Sequence, residues 1–257
     1  MSRESVRRIL HLELKFHPYK LQIVQQLKEN DYQSRLQFCQ QMLTHINNED
    51  EFLSKLWMSD EAHFHLTGYV NKQNYRYWAD RNPNELHERP LHANKVTVWC
   101  AVSSHGIIGP YFFEDEWVIA VTVNSDRYVE MLQRYVTPEL NNFPDVQESW
   151  FQQDGATSHT ARQSMEAMRV LFGNRVISRF GNVSWPPRSP DLTVCDFFLW
   201  GYLKTKVFTT RPRTVNELKQ RIRDEINSIP VEMLQRSMRN LHRRFQECIR
   251  RQGRHLK

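Results

Sequence analysis

Long apolar runs and paired cysteines are missing from this 257-residue sequence. No stretch approaches the roughly 18 apolar residues that a membrane-spanning helix needs, and the N-terminal MSRESVRRIL lacks the apolar segment of a secretory signal. The four cysteines stand far apart without a C-x-x-C pair, which argues against a zinc knuckle and a disulfide framework. We therefore expect a soluble protein of the cytosol or nucleus with reduced, mostly buried cysteines: Cys39, Cys100, Cys195 and Cys248.

Hydrophobic residues make up 40% of the chain and aromatic residues 12%, which is enough for one sizeable core and excludes a disordered protein. Charge is unevenly distributed. Residues 1–30 hold six Lys or Arg against three Asp or Glu, residues 201–257 hold fifteen against five, and the centre is acidic. Basic ends around an acidic centre suit a protein that collects carboxylates for metal ions and grips a polyanion, although solvated helix faces would explain the charges equally well.

The hydrophobic patterns divide the chain into residues 1–50, 51–210 and 211–257. The first part is helical in pattern and is interrupted by Pro18, as expected of a small helical unit and a linker. The central part alternates strand-like and helix-like patterns, which predicts an α/β domain, and the last part predicts two basic helices separated near Pro230. The predicted strands are residues 56–66, 95–102, 107–113 and 149–153, and the predicted central helices are residues 125–140, 160–172 and one that begins near Cys195.

Three aspartates lie where strands end or helices begin, which are places where a scaffold can hold a carboxylate still. Asp60 lies in the strand that begins LWMS, Asp154 ends the strand SWFQQ, and Asp196 lies where the loop WPPRSPDL gives way to a helix. A single aspartate is more often simply exposed. Carboxylates are, however, the ligands that Mg²⁺ takes from proteins, and two divalent ions about 4 Å apart can drive phosphoryl transfer without a protein nucleophile.

The motifs around these aspartates resemble those of a known family. SDEAHF, QQDGATSHTAR and WPPRSPDLTVCDFFLWGYLK look like the three catalytic motifs of mariner-type DDE/D transposases, in the same order. FHPYKLQIVQQLKENDYQSRLQFCQQML is similar to the linker of that family. In this family the third catalytic acidic residue is the last one of the motif S-P-D-L-x-x-x-D/E, which maps to Asp196 and not to Asp191. The 41 residues between Asp154 and Asp196 exceed the best-known mariner spacing, and GNRVISRFGNVSW between them has the character of a loop insertion.

The resemblance implies an RNase H-like, retroviral-integrase-like α/β fold: a mixed five-stranded sheet with helices on both faces, a short N-terminal helical segment and a helical C-terminus. It also implies Asp60, Asp154 and Asp196 as catalytic ligands of Mg²⁺ or Mn²⁺, with His159 in a supporting position. The implied reaction is hydrolysis of one DNA strand and attack of the freed 3′-OH on a TA target. The implied partners are terminal inverted repeats and a second copy of the chain, in the nucleus.

Residues 1–50 resemble the end of the second helix-turn-helix unit of the family and its linker, so we expect only the last part of the family's N-terminal recognition region in this sequence. We expect the remaining DNA contacts to come from basic residues of the N-terminal helix, the linker, the loop before Asp191 and the C-terminal helices. These residues are Arg3, Arg7, Arg8, Lys15, Lys20, Arg188, Arg239, Arg243, Arg250 and Arg254.

Some assignments stay open. Asp191 is interpreted as a cap of the helix that carries Asp196, and Glu61 is expected to face away from Asp60 because neighbouring strand residues point to opposite faces. Trp185 could stack on a splayed base or pack in the core. The motifs favour DNA strand cleavage and transfer; a transposase-derived DNA-binding protein without transposition activity and an RNase H-type nuclease are the alternatives.

Overall fold

The computed structural model describes residues 2–16, 25–66 and 94–256. The strands are β1 (Leu56–His65), β2 (Lys95–Val102), β3 (Ile107–Phe112), β4 (Trp150–Gln152), β5 (Val176–Ser178) and β6 (Val183–Ser184). The α-helices are α1 (Arg3–Arg8), α2 (Glu29–Asn48), α3 (Phe52–Lys55), α4 (Ser125–Met131), α5 (Thr137–Leu140), α6 (Thr157–Thr160), α7 (Arg162–Phe172), α8 (Trp200–Val207), α9 (Val215–Asn227) and α10 (Val231–Arg250). Shorter or wider helical turns cover Ile9–Glu13, Leu132–Val136, Val146–Glu148, Pro190–Leu192 and Cys195–Leu199.

Among the described residues, six strands form one mixed sheet in the order β3-β2-β1-β4-β5-β6. The pairs β1–β2 and β2–β3 are antiparallel, whereas β1, β4, β5 and β6 pair in parallel. Side chains alternate along β1, so Leu56 and Met58 enter one hydrophobic cluster and Trp57 enters another on the opposite face. The mixed sheet with helices on both faces agrees with the fold that the resemblance implied, except that it has six strands and not five.

The segment GNRVISRFGNVSW is part of the sheet, so its interpretation as a loop insertion is wrong. It forms β5 and β6, which are joined by a tight turn. A Cβ atom at Gly181 would lie 2.4 Å from the carbonyl oxygen of Val176, so the turn leaves no room for a side chain. The two strands are three and two residues long, too short to show an alternating pattern in the sequence.

The helices at the two ends of the chain share one core. α2 packs against α10, and both join the hydrophobic cluster that contains one face of β1 and of α9. The three-part division of the chain stays a prediction. All four cysteines are free and buried, as the sequence predicted. In the part of the chain that the structure describes, none of the helices combines the length and the apolar character that crossing a membrane would require.

Candidate active site

The register of β1 against β4 brings two of the candidate aspartates together. Met58 pairs with Gln152 across these parallel strands, and Asp60 and Asp154 each lie two residues further along. The Ser59 hydroxyl donates a hydrogen bond to the Gln152 carbonyl at 2.8 Å, which continues the contact past the paired residues. Asp60 and Asp154 therefore lie at the same level of the sheet, beyond the end of β4.

Asp196 comes to this place from a helix. It lies in the first turn of Cys195–Leu199, as predicted, and this turn continues into α8. The Cys195 thiol donates to the Met58 carbonyl at 3.1 Å, and the indole Nε1 of Trp200 donates to Asp60 Oδ2 at 2.7 Å. These two hydrogen bonds hold the helix against β1 and keep Asp196 near the other two aspartates.

The three aspartates line one cavity of about 460 Å³, whose other walls include Gln152, Ala156 and the loop that carries Arg188 and Ser189. Carboxylate oxygens around one cavity are the donors that a hard divalent cation prefers, so the chemistry of the residues fits a metal ion. Within the three described segments, no group of three or more His, Cys, Asp or Glu side chains is arranged so that it could hold one. Metal binding would therefore require the carboxylates to draw together around the ion, which would offset their mutual repulsion.

Burial and repulsion change the acidity of these carboxyl groups. Burial, and then the negative charges of Asp196 and Glu61, raise the pKa of Asp60 well above its usual range. Desolvation by the surrounding protein, and then the negative charge of Asp154, raise the pKa of Asp196 to about 7. Burial alone would also raise the pKa of Asp154, but the hydrogen bond and charge of His159 hold it below its usual range. Asp154 is thus ionised at neutral pH, whereas Asp60 and Asp196 resist ionisation unless a cation compensates.

His159 connects Asp154 with Glu61. Its Nδ1 lies 2.6 Å from Asp154 Oδ1, its Nε2 lies 3.0 Å from Glu61 Oε1, and its ring packs against Tyr128 at 4.3 Å between centroids. Although burial opposes protonation, Glu61 and Asp154 raise the pKa of His159 to about 10, so the charged ring donates to both carboxylates. Glu61 binds this ring while Asp60 binds Trp200, in agreement with the opposite directions expected for the two residues. The supporting role of His159 stays a prediction, and its hydrogen bonds to Asp154 and Glu61 are the contacts through which it would act.

Sequence reasoning missed two residues beside the site, Trp200 and Lys204. They follow Asp196 at intervals of four residues, which puts all three on one face of the helix. Burial lowers the pKa of Lys204, while the charges of Asp196 and Asp60 oppose this change, so the amine is an electrostatic neighbour of both aspartates. The four-residue spacing within DFFLWGYLK was the signal that could have identified them.

The interpretation of Asp191 as a helix cap is wrong. Its carboxylate binds the guanidinium of Arg35 in α2 through both oxygens, at 2.8 and 2.6 Å, and accepts a hydrogen bond from the Leu256 N–H at 2.8 Å. A buried arginine from a distant part of the chain thus takes the carboxylate that a cap would need. Trp185 packs edge-on against Phe38, with 5.0 Å between ring centroids, and is 6% exposed, which favours its role in the core.

The predicted DNA contacts differ in their surroundings. Lys20 and the side chain of Arg3 lie outside the described residues. Arg188 is paired with Asp31 at 2.5 and 2.6 Å, and Arg250 with Glu247 at 2.7 and 2.6 Å, so these two guanidiniums already have acidic partners. The remaining predicted contacts are exposed: Arg7, Arg8, Lys15, Arg239, Arg243 and Arg254. Of these, Arg7 lies 3.7 Å from the Glu4 carboxylate.

Replacing Asp196 by Asn is expected to stabilise the metal-free protein at pH 8 but not at pH 4. Folding favours the protonated carboxyl because its pKa is raised in the folded state. The resulting stabilisation is complete below pH 3.8 and is lost as the pH rises through about 7. Because Asp196 is exposed, solvent screening reduces the gain from the substitution to about 1 kcal/mol, or roughly 3 °C in Tm.

Thermal unfolding in EDTA at the two pH values measures this difference. Glu116→Gln removes an exposed carboxylate outside the cavity and serves as the control, which should leave the pH dependence of Tm unchanged. An Asp196→Asn effect of equal size at pH 4 and pH 8 would show that the charge of this carboxyl is not the cause.

Comparison with known proteins supports the family suggested by the motifs. No family model matches the chain. It is 30% identical over 212 residues to the Tc3 transposase of Caenorhabditis elegans, in a match that covers 80% of this chain and 59% of that protein. The catalytic domain of Mos1 mariner transposase superposes with a TM-score of 0.71 at 19% identity, covering 92% of this chain and all of that domain. A Mos1 paired-end complex with the left transposon end gives 0.75 at 20% identity, covering 100% of this chain and 72% of that one. Further Mos1 paired-end complexes were solved with Mg and with Mn.

The sheet order, the flanking helices and the superposition on the Mos1 domain show an RNase H-like fold, which confirms the predicted fold class. The relationship to Tc3 supports the mariner-type transposase family that the three motifs indicated, and the fold shared with Mos1 agrees with it. The chain spans 59% of the length of the Tc3 transposase.

Proposed function

We propose that this chain cleaves a DNA strand and joins the freed end to a target, with two divalent ions held by Asp60, Asp154 and Asp196. The observation that carries the proposal is that these three aspartates, from different elements, line one cavity in which two of them have a raised pKa. When bound, the ions would activate the attacking oxygen and stabilise the leaving oxygen. Mg²⁺ or Mn²⁺ is the choice supported by the Mos1 complexes.

The residues of the chain itself would orient these carboxylates. The imidazolium of His159, held by Glu61, fixes one oxygen of Asp154 and keeps that group ionised. The Trp200 indole fixes one oxygen of Asp60. Each of these two aspartates keeps its other oxygen for a cation, and the proposal needs no covalent bond between protein and DNA.

The partners are proposed from the relatives. Several of the Mos1 structures are paired-end complexes, and one of these contains the left transposon end. For this chain we infer binding of terminal inverted repeats, integration at TA, and a homodimer in which two DNA ends are processed together. We also infer a nuclear location, because a chromosomal target would be reached there.

The exposed face of α10 is the DNA-binding surface that the charges favour. Arg236, Arg239 and Arg243 line a shallow groove there together with Ser237 and Asn240. The structure assigns no ion-pair partner to these three arginines among the residues it describes, in contrast to Arg188 and Arg250. Unpaired guanidiniums along a helix can follow the phosphates of a DNA backbone, which adds Arg236 to the predicted contacts.

Changing Arg236, Arg239 and Arg243 together to Gln is expected to weaken DNA binding by about 10-fold or more at 0.15 M salt, equally for all sequences. Each lost phosphate contact should reduce the slope of log K against log salt by about 0.9. Fluorescence anisotropy over a salt series measures both quantities. The control changes Arg134, Arg162 and Arg169, which are exposed on other helices, and alters the net charge equally. Equal losses in the two triple variants would mean that only net charge matters.

The proposed function is tested by metal-dependent nicking of supercoiled DNA and of a duplex that ends in the matching inverted repeat. We expect cleavage with Mn²⁺ or Mg²⁺ and none in EDTA. DNA binding without cleavage would favour the alternative, a transposase-derived DNA-binding protein. Preferential cleavage of an RNA–DNA hybrid would favour an RNase H-type nuclease instead.

A further inference from the structure

Arg35 is a fully buried arginine that belongs to none of the functions assigned above. It lies in α2 with 0% exposure, and its guanidinium is surrounded by acceptors. Besides both oxygens of Asp191, it binds the Ser189 hydroxyl through Nη1 at 2.7 Å and the Gly253 carbonyl through Nε at 2.7 Å. A buried charge needs this degree of pairing, because an uncompensated one would be strongly destabilising. The network joins three distant parts of the chain: α2, the cavity loop and the C-terminal end.

Two of the residues that accept hydrogen bonds from Arg35 lie on the segment that leads to Asp196. Ser189 lines the cavity itself, and Asp191 follows two residues later in the turn Pro190–Leu192. Only four residues lie between Asp191 and Asp196, and all four are buried. Fixing residues 189 and 191 therefore fixes where the helix with Asp196 begins.

Arg244 of α10 contacts the same segment of the chain, before and after Asp196. Its Nε donates to the carbonyl oxygen of Asp191 at 2.8 Å, and its guanidinium lies over the ring of Phe197, 4.4 Å from the centroid. Phe197 is the residue after Asp196. One planar side chain thus contacts both the turn before the aspartate and the residue that follows it.

The C-terminal segment completes the network. The Leu256 N–H donates to Asp191, and the left-handed Gly253 (φ +77°) presents its carbonyl to Arg35. A Cβ atom at Gly253 would lie 2.3 Å from the Tyr32 carbonyl oxygen, so the segment passes directly against α2. The last residues of the described chain are therefore part of the support of the cavity loop.

We infer that Arg35 and Arg244 are positioning residues that set the location of Asp196, acting through Ser189, Asp191 and Phe197. This inference rests on the proposed function only where it concerns metal binding. The ordering of residues 189–197 by the two arginines is a property of the fold and can be measured without metal.

Amide hydrogen exchange of the metal-free protein tests the ordering. Arg35→Lys keeps the charge but cannot reach all the acceptors, and Arg244→Lys loses the planar contact with Phe197. In both variants we expect peptides that cover residues 189–199 to exchange at least about 10-fold faster, while peptides from β1 and β2 stay as in the wild type. Arg244→Lys serves as the decisive variant if Arg35→Lys does not fold. The matched control is Arg221→Lys, which removes a multiply bonded arginine of α9 away from the cavity.

Mn²⁺ titration by calorimetry tests the link to the site. Arg35→Lys and Arg244→Lys should bind Mn²⁺ at least about 5-fold more weakly than the wild type, and neither change should weaken binding further in an Asp196→Asn background. A purely structural role would lower Tm without this dependence on Asp196. Unchanged exchange at residues 189–199, or faster exchange with unchanged Mn²⁺ affinity, would overturn the inference. A wild type that binds no Mn²⁺ would refute the proposed function, and the exchange data would then decide alone whether the arginines order this segment.

Discussion

Asp154→Asn is expected to lower DNA cleavage at least about 1,000-fold, a change of about 4 kcal/mol in the activation free energy. Asp154 is the one aspartate of the cavity whose pKa is below its usual range, so it is ionised before any cation arrives. Asn keeps the shape of the side chain, and its oxygen can still accept hydrogen bonds from His159 and the Ala156 N–H. The substitution therefore removes the charge and one metal-binding oxygen while the fold is kept.

The measurement compares nicking rates of the wild type and Asp154→Asn over a range of Mn²⁺ concentrations. Asp145→Asn is the matched control, because Asp145 is exposed before β4 and has a left-handed backbone that Asn also tolerates. It should retain the wild-type rate. If Asp154→Asn kept more than a tenth of the activity, Asp154 could not be a metal ligand of the reaction.

Asp191→Ala is expected to lower the free energy of unfolding by about 3–5 kcal/mol, which corresponds to a decrease of roughly 10 °C in Tm. The substitution leaves the guanidinium of Arg35 buried without its counterion and removes the acceptor of the Leu256 N–H. Asp31→Ala is the comparison: it breaks a similar two-bond pair, but the released Arg188 is partly exposed and can be hydrated. Its effect should be clearly smaller.

Urea unfolding of the metal-free protein measures both losses. The double variant Arg35→Met, Asp191→Leu should recover much of the stability, because an apolar pair has no charge to desolvate. A loss below about 1 kcal/mol in Asp191→Ala would show that water reaches Arg35 when its partner is removed.

The elements with a clear pattern were predictable from the sequence. β1 and β2 are ten and eight residues long and rich in apolar residues, and α7 is long enough to show one apolar face, so the positions of these elements followed from the sequence pattern. β5 and β6 show no such pattern, because a strand of two or three residues is too short for an alternation to be recognised. Their place in the sheet depends on pairing with β4, which only the folded chain provides.

The aspartates of the candidate site could be named from their motifs, but their neighbours could not. His159 lies five residues from Asp154, so its contact was within reach of local reasoning, whereas its second partner, Glu61, is 98 residues away. The surroundings of Arg188 were also beyond local reasoning. As a basic residue in an exposed-looking loop it suggested a phosphate contact, and the structure pairs it with Asp31 from a helix 157 residues earlier. Local patterns contain no information about such long-range ion pairs.

The folded path between Asp154 and Asp196 has a consequence for how such chains diverge. Part of the 41-residue interval is fixed in α7, β5 and β6, and the tight turn at Gly181 leaves no room for a side chain. Insertions or deletions in the remaining loops would change the interval while the carboxylates kept their places just after β4 and on the helix before α8. Relatives that differ in this interval can therefore share one geometry of the site, and a classification by residue count alone would separate chains that are equivalent in three dimensions.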